Sequence, residues 1–475
     1  MDGAHAEALP PVTLIATYYD TDDLRLARWG ATLRFRSDEG WSVKLPSPGT
    51  SDLLEREEIG FDGPAGTPPP AALDLITAIA RRAPLGPVVK LRTRRKGVRL
   101  HGADGDPLAE VVDDQVSVLD GRRVAARFRE IEIELAEKVS AEVSEAVQSR
   151  LESAGAGAAD PTPKHVRALG ARATAPPDVA SSSDKPPNEE TAATELVQAA
   201  LSASTARLLL HDPRVRLGLD PEDVHQARVA TRRLRADLRT FRSLLDPDWT
   251  SALRDELRWL GRELGGVRDK DVLVGLLRGA AGDFLEAERR DAGRLLAGLE
   301  VEEESATERL LAAMRSDRYL ALLERLVEAS NSPLFAPGAS ETNGAKLTEL
   351  GAGPWKKLRS LVKDLDDQPD DEALHRVRIL TKRCRYAAEA LAPVVGKPAR
   401  KFAKAAASLQ DVLGQNQDAS VAGAWLRSST AKAPPGAAFA AGMLAAAAEG
   451  WARKAKDEWP AAWRRLEKKR IPSWS

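Results

Sequence analysis

Two patterns of hydrophobic positions divide the chain. Between about residues 12 and 135, apolar and polar residues alternate, as in Thr32-Leu-Arg-Phe-Arg36 and Trp41-Ser-Val-Lys-Leu45. Turn-forming residues separate these runs, so the pattern predicts antiparallel β-strands, with one helix among them and another after them. Beyond about residue 190 the apolar positions follow the 3.6-residue period of helices. We therefore predict an α+β multidomain protein, with an N-terminal antiparallel β tunnel or barrel and a C-terminal all-α bundle.

A polar segment joins the two patterns. Residues 171–190 are rich in Pro, Ser and Asp and follow neither period, which is typical of a linker. A second polar loop divides the helical half. We predict a first domain at residues 1–170 and a second at 191–475, the latter made of two parts at about 191–329 and 345–475.

The two helical parts repeat each other. The segment HQARVATRRLR begins at His225, and HRVRILTKRCR begins at His375; they agree at six positions when Lys and Arg are treated as alike. Further on, LGGVRD begins at Leu264 and LGQNQD at Leu413. The offset between copies is 150 residues for the first motif and 149 for the second. Two ordered motifs at nearly the same offset indicate an internal duplication.

Each duplicated helix has a basic face. With about 100° of rotation per residue, His225, Arg228, Arg232, Arg235 and Arg239 fall within roughly 80° of one another, and Arg242 lies at the edge of this stripe. Six arginines and a single acid, Asp237, lie between His225 and Arg242. A solvated basic surface is the simplest alternative, but such arginines usually have acids three or four residues away. A row of guanidinium groups about 25 Å long suits a linear chain of phosphates.

Overall composition limits these interpretations. The 475 residues include 70 Lys and Arg against 71 Asp and Glu, giving a net charge of −1, so any polyanion site must come from local segregation of charge. The single cysteine, Cys384, excludes an internal disulfide and fits a reducing compartment. The sequence shows neither a secretory signal nor an apolar run long enough to span a bilayer. We therefore expect a cytoplasmic protein without a membrane partner.

Charged residues also share faces of the predicted strands. They are Arg34 with Arg36, Arg56 with Glu58, Lys90 with Arg92 and Arg94, and Glu130 with Glu132 and Glu134. One alternative is a solvated exterior. The other is a closed barrel that holds a phosphorylated ligand and a divalent metal, with cations on the phosphates and carboxylates on the metal.

The helical half, with its two histidine motifs and two Leu-Gly…Asp motifs, resembles the CHAD family of conserved-histidine α-helical domains, which bind inorganic polyphosphate. The resemblance implies a pseudo-symmetric bundle with a central basic surface. The implied polyphosphate-binding residues are His225, Arg228, Arg232, Arg235, Arg239, His375, Arg378, Lys382 and Arg385. Metal chelation by the two histidines is a rival interpretation, although Val229 and Ile379, four residues on, are not ligands.

The β half resembles the CYTH family of triphosphate tunnel metalloenzymes, which are Mg- or Mn-dependent. The motifs that carry the resemblance are ATYYDT from Ala16, LRFR from Leu33, VKL from Val43, REE from Arg56, LRTR from Leu91, AE from Ala109 and EIEIE from Glu130. The residues implied to hold a triphosphate-containing small molecule are Arg34, Arg36, Lys44, Arg56, Arg92, Arg94 and Lys164. Those implied as metal ligands are Glu58, Glu110, Asp114, Glu132 and Glu134, of which Glu132 and Glu134 would also be catalytic.

One family motif is not found. The family begins with a strand bearing Glu-x-Glu-x-Lys, whereas the fifteen residues before Ala16 contain Glu7 as their only glutamate. Either the start codon lies further upstream or the strand has been lost. We expect phosphate binding to survive this loss and hydrolysis to be impaired. Two alternatives therefore stay open: an Mg- or Mn-dependent inorganic triphosphatase, and a protein that binds the triphosphate without hydrolysing it.

Three classes of function remain after these observations. The favoured one is a polyphosphate-binding protein, with association with polyphosphate granules left open. A helical nucleic-acid binder would need aromatic residues among the arginines for base stacking, and the stripes offer only Phe241 and Tyr386, so no specific nucleic-acid partner is expected. A structural scaffold would need its basic faces neutralised, and the arginines largely lack acidic neighbours.

Overall fold

The protein's structure is a computed structural model, which describes residues 5–46, 56–102, 104–136, 139, 141–179, 188, 191–342, 344–430, 433–469, 471 and 474. The chain divides into two compact units, Met1–Asp178 and Val179–Ser475. The first combines an antiparallel sheet with a few helices and the second is helical, which confirms the predicted fold class.

Among the described residues, eight antiparallel strands form the sheet of the first unit. They are β1 (His5–Ala8), β2 (Val12–Asp20), β3 (Thr32–Arg36), β4 (Gly40–Pro46), β5 (Arg56–Phe61), β6 (Gly86–His101), β7 (Pro107–Asp120) and β8 (Arg123–Leu135). Their order is β5-β4-β3-β2-β6-β7-β8, and β1 pairs with the far end of β6 beyond β2. In this part of the chain no pairing joins β5 to β8, so the predicted tunnel is an open sheet here.

Four α-helices belong to this unit in its described residues. They are α1 (Arg25–Arg28), α2 (Pro70–Ala80), α3 (Ala141–Ser153) and α4 (Lys164–Leu169). The end of α4 packs on a cluster that includes Tyr18, Leu91 and Val116, and we call this side the α4 face. On β4, α2 lies against a strand in which Trp41 and Val43 are fully buried. Because paired residues of antiparallel strands point to the same side, the strand register assigns every other residue to one face.

The Tyr-Tyr-Asp-Thr motif at the end of β2 has a structural role. The buried carboxylate of Asp20 accepts hydrogen bonds from the backbone N–H groups of Thr21, Leu26 and Ala27, at 2.7, 2.8 and 2.9 Å. These donors belong to the turn and first residues of α1, which have no partners within the helix. Asp20 therefore fixes the connection from β2 to β3.

The second unit contains ten helices in its described residues. They are α5 (Ala193–Leu217), α6 (Pro221–Thr240), α7 (Pro247–Ala281), α8 (Glu286–Met314), α9 (Asp317–Asn331), α10 (Gly344–Glu349), α11 (Ala352–Lys363), α12 (Asp371–Val395), α13 (Lys397–Thr430) and α14 (Pro435–Glu467). The repeated histidine motifs lie on α6 and α12. Both helices begin with an aspartate cap: Asp220 accepts from the Glu222 N–H at 2.8 Å, and Asp370 from the Ala373 N–H at 2.7 Å.

The two repeats share one core. Leucines from α7 and α8 of the first repeat pack in a single cluster with those of α13 and α14 of the second, including Leu277, Leu296, Leu426 and Leu444. On α6 the apolar side, with Leu234 and Leu238, is fully buried, which leaves the basic stripe to the other side. No helix in the described ranges has the length and hydropathy needed to cross a membrane.

Replacing Asp20 with alanine should destabilise the first unit by about 2 kcal/mol, because it removes the acceptor for three backbone donors. Urea denaturation with hydrogen exchange at the β2 and β6 amides measures the effect. The control is Asp22→Ala, an exposed neighbour that should change stability by less than about 0.5 kcal/mol. Equal effects of the two substitutions would contradict this role for Asp20.

Candidate functional site

A cavity of about 660 Å³ lies in the second unit between α6, α12 and the α10–α11 segment. Its lining is strongly cationic. The basic residues are Arg232, Arg235, Arg239 and Arg242 from α6 and its C-terminal end, Lys382 and Arg383 from α12, and Lys357 from α11. Glu349 is the one acidic residue of the lining, and Leu350, Pro354, Ile379 and Tyr386 supply apolar surface.

The cavity draws on both sequence repeats. Arg232 and Lys382 stand seven residues after His225 and His375, and both line it. The two stripes therefore meet in one concave surface instead of facing solvent separately. Of the predicted residues, Arg235 and Arg239 also line the cavity.

Several polar atoms around the cavity have no hydrogen-bond partner. They are the buried Nε atoms of Arg232, Arg254, Arg378 and Arg383 and the buried hydroxyl oxygen of Tyr386. A buried donor without an acceptor costs about 1–3 kcal/mol. Arg232, Arg383 and Tyr386 also line the cavity, so these side chains lie beside any anion that enters it.

Burial and mutual repulsion shift the pKa values of these cations. Burial, together with the charges of Arg378, Arg232 and Arg228, lowers the pKa of Lys382 to about 7. Burial and the neighbouring charges of Arg383 and other arginines lower the pKa of Arg239 to about 10. The cavity is thus a region where adding another cation is unfavourable and adding an anion is favourable.

The one acid of the α6 stripe does not neutralise it. Asp237 is 2% exposed and lies on the buried side of the helix. Burial, with only partial opposition from Arg233, raises its pKa to about 8. Near neutral pH this carboxyl is therefore mostly protonated, and the stripe keeps its positive charge.

The Leu-Gly…Asp motifs stand opposite the histidine motifs in both repeats. A Cβ atom added to Gly265 on α7 would lie 3.7 Å from the guanidinium carbon of Arg228, and one added to Gly414 on α13 would lie 3.9 Å from the Nε of Arg378. The missing side chains let each arginine lie directly on the facing helix. Arg228 also forms an ion pair with Asp269 of the same motif.

Asp418, which corresponds to Asp269 in the second repeat, interacts electrostatically with Arg378. Its pKa is raised by burial, against the opposing charges of Arg378 and Lys382. Because the Gly–Arg–Asp arrangement recurs at the sequence offset, the duplication is one of site geometry as well as of sequence.

The two histidines occupy equivalent positions with different partners. A ring nitrogen of His375 is hydrogen-bonded to Gln417, while His225 faces Arg268, the residue that corresponds to Gln417. Burial and the charge of Arg268 lower the pKa of His225. Neither histidine is among the residues that line the cavity. They lie near the N-terminal ends of α6 and α12, three residues before Arg228 and Arg378.

Arg385 is separated from the other predicted residues. It pairs with Glu389 at 2.8 Å and its guanidinium carbon lies 5.8 Å from the ring centroid of Tyr386. Arg232 approaches the same ring at 5.5 Å. Tyr386 is therefore in contact with an arginine of each repeat, which the sequence pattern did not predict.

The first unit gathers a second set of charges on its α4 face. The ammonium of Lys164 lies 2.9 Å from Asp114, 2.9 Å from Glu130 and 2.7 Å from Glu132. Arg95 contacts Asp114 with two hydrogen bonds, at 2.7 and 2.9 Å, and Glu132 at 2.9 Å. Burial favours the uncharged form of Lys164, but the carboxylates outweigh it and raise the pKa to about 12.

The same face carries the predicted residues of β3 to β5. Arg34 contacts Glu58 at 2.6 Å, and Lys44 contacts the other oxygen of Glu58 at 2.8 Å. Burial alone would raise the pKa of Glu58, but Lys44 and Arg34 lower it. Arg36 pairs with Asp38 at 2.8 Å. The side chain of Arg56 lies outside the described part of the chain.

Two predicted arginines do not join this set. Leu91 and Thr93 point to the α4 face, so Arg92 and Arg94 point to the opposite face, where both are exposed. The cations of β6 on the α4 face are Arg95 and Arg99, which the sequence analysis missed. Basic residues at the neighbouring even positions drew attention away from them, although both stand an even number of residues from Leu91 and so share its face.

Comparison with known proteins agrees with this geometry. The CYTH domain family matches residues 2–161, and the CHAD domain family matches residues 199–427. The chain belongs to the two-domain proteins in which a CYTH domain precedes a CHAD domain. It is accordingly a polyphosphate-related protein.

The chain is also similar to two relatives and to two solved structures. The chain is 30% identical to Uncharacterized protein Rv2226 and to Uncharacterized protein MT2285, from two strains of Mycobacterium tuberculosis, over 97% of its own length and 91% of theirs. PptA from Streptomyces chartreusis is 25% identical, with a TM-score of 0.49 over 59% of this chain and 100% of PptA. The CHAD domain from the plant Ricinus communis is 26% identical, with a TM-score of 0.49 over 60% and 95%.

CYTH domains generally depend on divalent metals, and the predicted ligands can be tested against that requirement. Asp114 and Glu132 are engaged by Arg95 and Lys164, Glu58 by Lys44 and Arg34, and Glu110 by Arg99 at 3.2 Å, while Glu134 is exposed. Among the described residues no three His, Cys, Asp or Glu side chains are grouped so that they could hold a metal. In this arrangement the carboxylates serve the cations and do not fit a metal site.

Lys382 should titrate near neutral pH, because burial and the adjacent arginines disfavour its ammonium form. NMR of isotopically labelled lysine measures the titration directly. Replacing Arg378 with glutamine should raise the pKa, because it removes the largest of the repelling charges. A Lys382 amine that titrates above pH 10 and does not respond to Arg378→Gln would contradict the geometry of the cavity.

Proposed function

We propose that the second unit binds inorganic polyphosphate in the cavity between the two basic stripes. The observation that carries the proposal is the convergence of Arg232, from one repeat, and Lys382, from the other, on one concave surface. The phosphates of the chain would accept hydrogen bonds from the buried, unpartnered guanidinium groups. Each such charge-assisted bond contributes about 1.5–3 kcal/mol.

A nucleic acid is the second candidate, and the cavity lining argues against it. Base stacking supplies much of the affinity of single-strand binders. Tyr386 is the one aromatic residue of the lining, and its ring is already in contact with Arg232 and Arg385. The described cations therefore match phosphate groups and leave the bases without a surface.

For the first unit we propose binding of a triphosphate group on the α4 face without hydrolysis. Support comes from Arg34, Arg36, Lys44 and Lys164, which share this face, and from Arg95, which we add to the set. An entering triphosphate would compete with Glu58, Asp114 and Glu132 for these cations. Binding there is thus an exchange of anionic partners, in which the protein's own carboxylates resist the ligand.

Charge reversal on either repeat should weaken polyphosphate binding by similar amounts. Arg232→Glu and Lys382→Glu each remove one charge-assisted contact and add a repulsion, so each should weaken binding by about tenfold or more. Titration of the full chain with long-chain polyphosphate at fixed salt and pH 6.5 measures this, at a pH where Lys382 carries much of its charge.

The matched control is Arg290→Glu, a reversal at an exposed position on α8 outside the cavity. It should change affinity by less than about threefold, since a distant exposed charge is screened by salt. A large loss for Arg232→Glu with none for Lys382→Glu would confine binding to the first repeat. Equal affinity of the native chain for polyphosphate and for single-stranded DNA of matched charge would contradict the proposed ligand.

The chain should show little metal-dependent hydrolysis of tripolyphosphate. Its carboxylates on the α4 face are held by cations and are not free to gather a metal. Release of phosphate in the presence of Mg or Mn measures the activity. Robust turnover that is abolished by Glu132→Gln would contradict the proposal for this unit.

A further inference from the structure

The face of the first unit opposite α4 carries an unneutralised group of cations. On β6 these are Lys90, Arg92 and Arg94, which alternate with residues of the α4 face and are all exposed. The strand register places Arg92 beside Ser117 of β7, which in turn lies beside Arg127 of β8. We call Lys90, Arg92, Arg94, Arg127 and Arg129 the basic sheet face.

The geometry of the strands sets the spacing of these charges. Successive residues on one face of a strand stand about 7 Å apart, and strands two positions apart in a sheet are separated by about 10 Å. Arg92 with Arg127, and Arg94 with Arg129, therefore form two rows of cations across three strands. A rigid sheet holds this array without the entropic cost of gathering long side chains from loops.

Acidic neighbours neutralise little of this array. In the described ranges, Asp113 is the residue that pairs with it, at 2.7 Å from Arg129. No ion pair engages Lys90, Arg92, Arg94 or Arg127 there. The α4 face shows the opposite behaviour, because each of its main cations contacts a carboxylate. One sheet thus has a self-neutralised face and a face with surplus positive charge.

We propose that the basic sheet face is a second docking surface for polyphosphate. The proposal rests on the proposed function for the identity of the polymer, but it uses residues on a different surface. Charge complementarity selects a polyanion. The residues of β2 and β7 that are in register with the cations of β6 are Thr13, Ile15, Thr17, Gln115, Ser117 and Leu119, none of them aromatic. Without a stacking surface, the array suits a chain of phosphates better than a nucleic acid.

The function of such a surface is to hold a long polymer by many weak, exchangeable contacts. Exposed arginines bind phosphate with modest energy and strong dependence on salt. A longer chain can place more phosphates on this array at once, so its affinity for the face should rise with its length. The basic sheet face should therefore matter for long polyphosphate and not for short oligomers.

The test compares four forms of the full chain: the native protein, the cavity variant Arg232→Glu/Lys382→Glu, the face variant Arg92→Glu/Arg94→Glu, and the combination. Binding of long-chain polyphosphate is titrated at several salt concentrations. The cavity variant should keep a residual, salt-sensitive affinity. In the combined variant this residual affinity should fall at least tenfold, and the slope of log affinity against log salt should lose about 1.4, from two contacts at roughly 0.7 each.

Controls keep the outcome decisive. Arg290→Glu/Arg309→Glu on α8 makes the same change of net charge at exposed positions and should leave the residual affinity within about twofold. Lys90→Glu/Arg127→Glu should reproduce the loss, which guards against a folding defect in one variant. The proposal is overturned if the combined variant binds like the cavity variant, if the cavity variant has no residual binding at low salt, or if that binding favours single-stranded DNA. A cavity variant that binds as tightly as the native chain would instead refute the cavity's role, and the face comparison would still stand.

Discussion

Repulsion between cations held in a partly buried cavity is the constraint around which the helical unit is arranged. Arg235 repels Arg239 and Arg232 repels Lys382, and burial removes the water that would screen these charges. Such a group can be relieved by acids, by loss of a proton, or by an external anion. The acids are few, Asp237 is itself largely protonated, and Lys382 has its pKa near 7. An anionic ligand is the remaining source of stabilisation.

In the sheet of the first unit, repulsion between neighbouring cations is relieved by the protein's own carboxylates. On its α4 face every main cation has a carboxylate within contact distance, so the face is stable without a ligand. The cost is that a triphosphate must displace those carboxylates before it can bind. The two units therefore differ in what an anionic ligand must displace. Donors around the cavity have no partner, whereas on the α4 face a ligand must replace carboxylates that are already bound to the cations.

Sequence alone predicted the order of the two units, because each half has its own hydrophobic period. It also indicated the duplication, because two motifs recur at nearly the same offset. That both copies line one groove was a hypothesis drawn from this repeat. The sequence also predicted the buried side of α6. The pairing of Arg385 with Glu389 could also have been predicted, because the two residues are four apart on one helix, but the sequence analysis grouped Arg385 with the phosphate-binding residues. Arg92 and Arg94 were assigned to the triphosphate site from their motif, but the alternation of side chains along β6 places them on the other face of the sheet from Arg95. Local sequence pattern also does not reveal which other residues line the cavity, such as Lys357 and Tyr386.

The central claim is that both repeats act on one ligand, and a crystal structure of the full chain with a polyphosphate of defined short length tests it most directly. The account predicts a single phosphate chain in the cavity, with oxygens in contact with Arg232 of the first repeat and Lys382 of the second. Phosphate bound along one stripe only, or outside the cavity between α6 and α12, would contradict it.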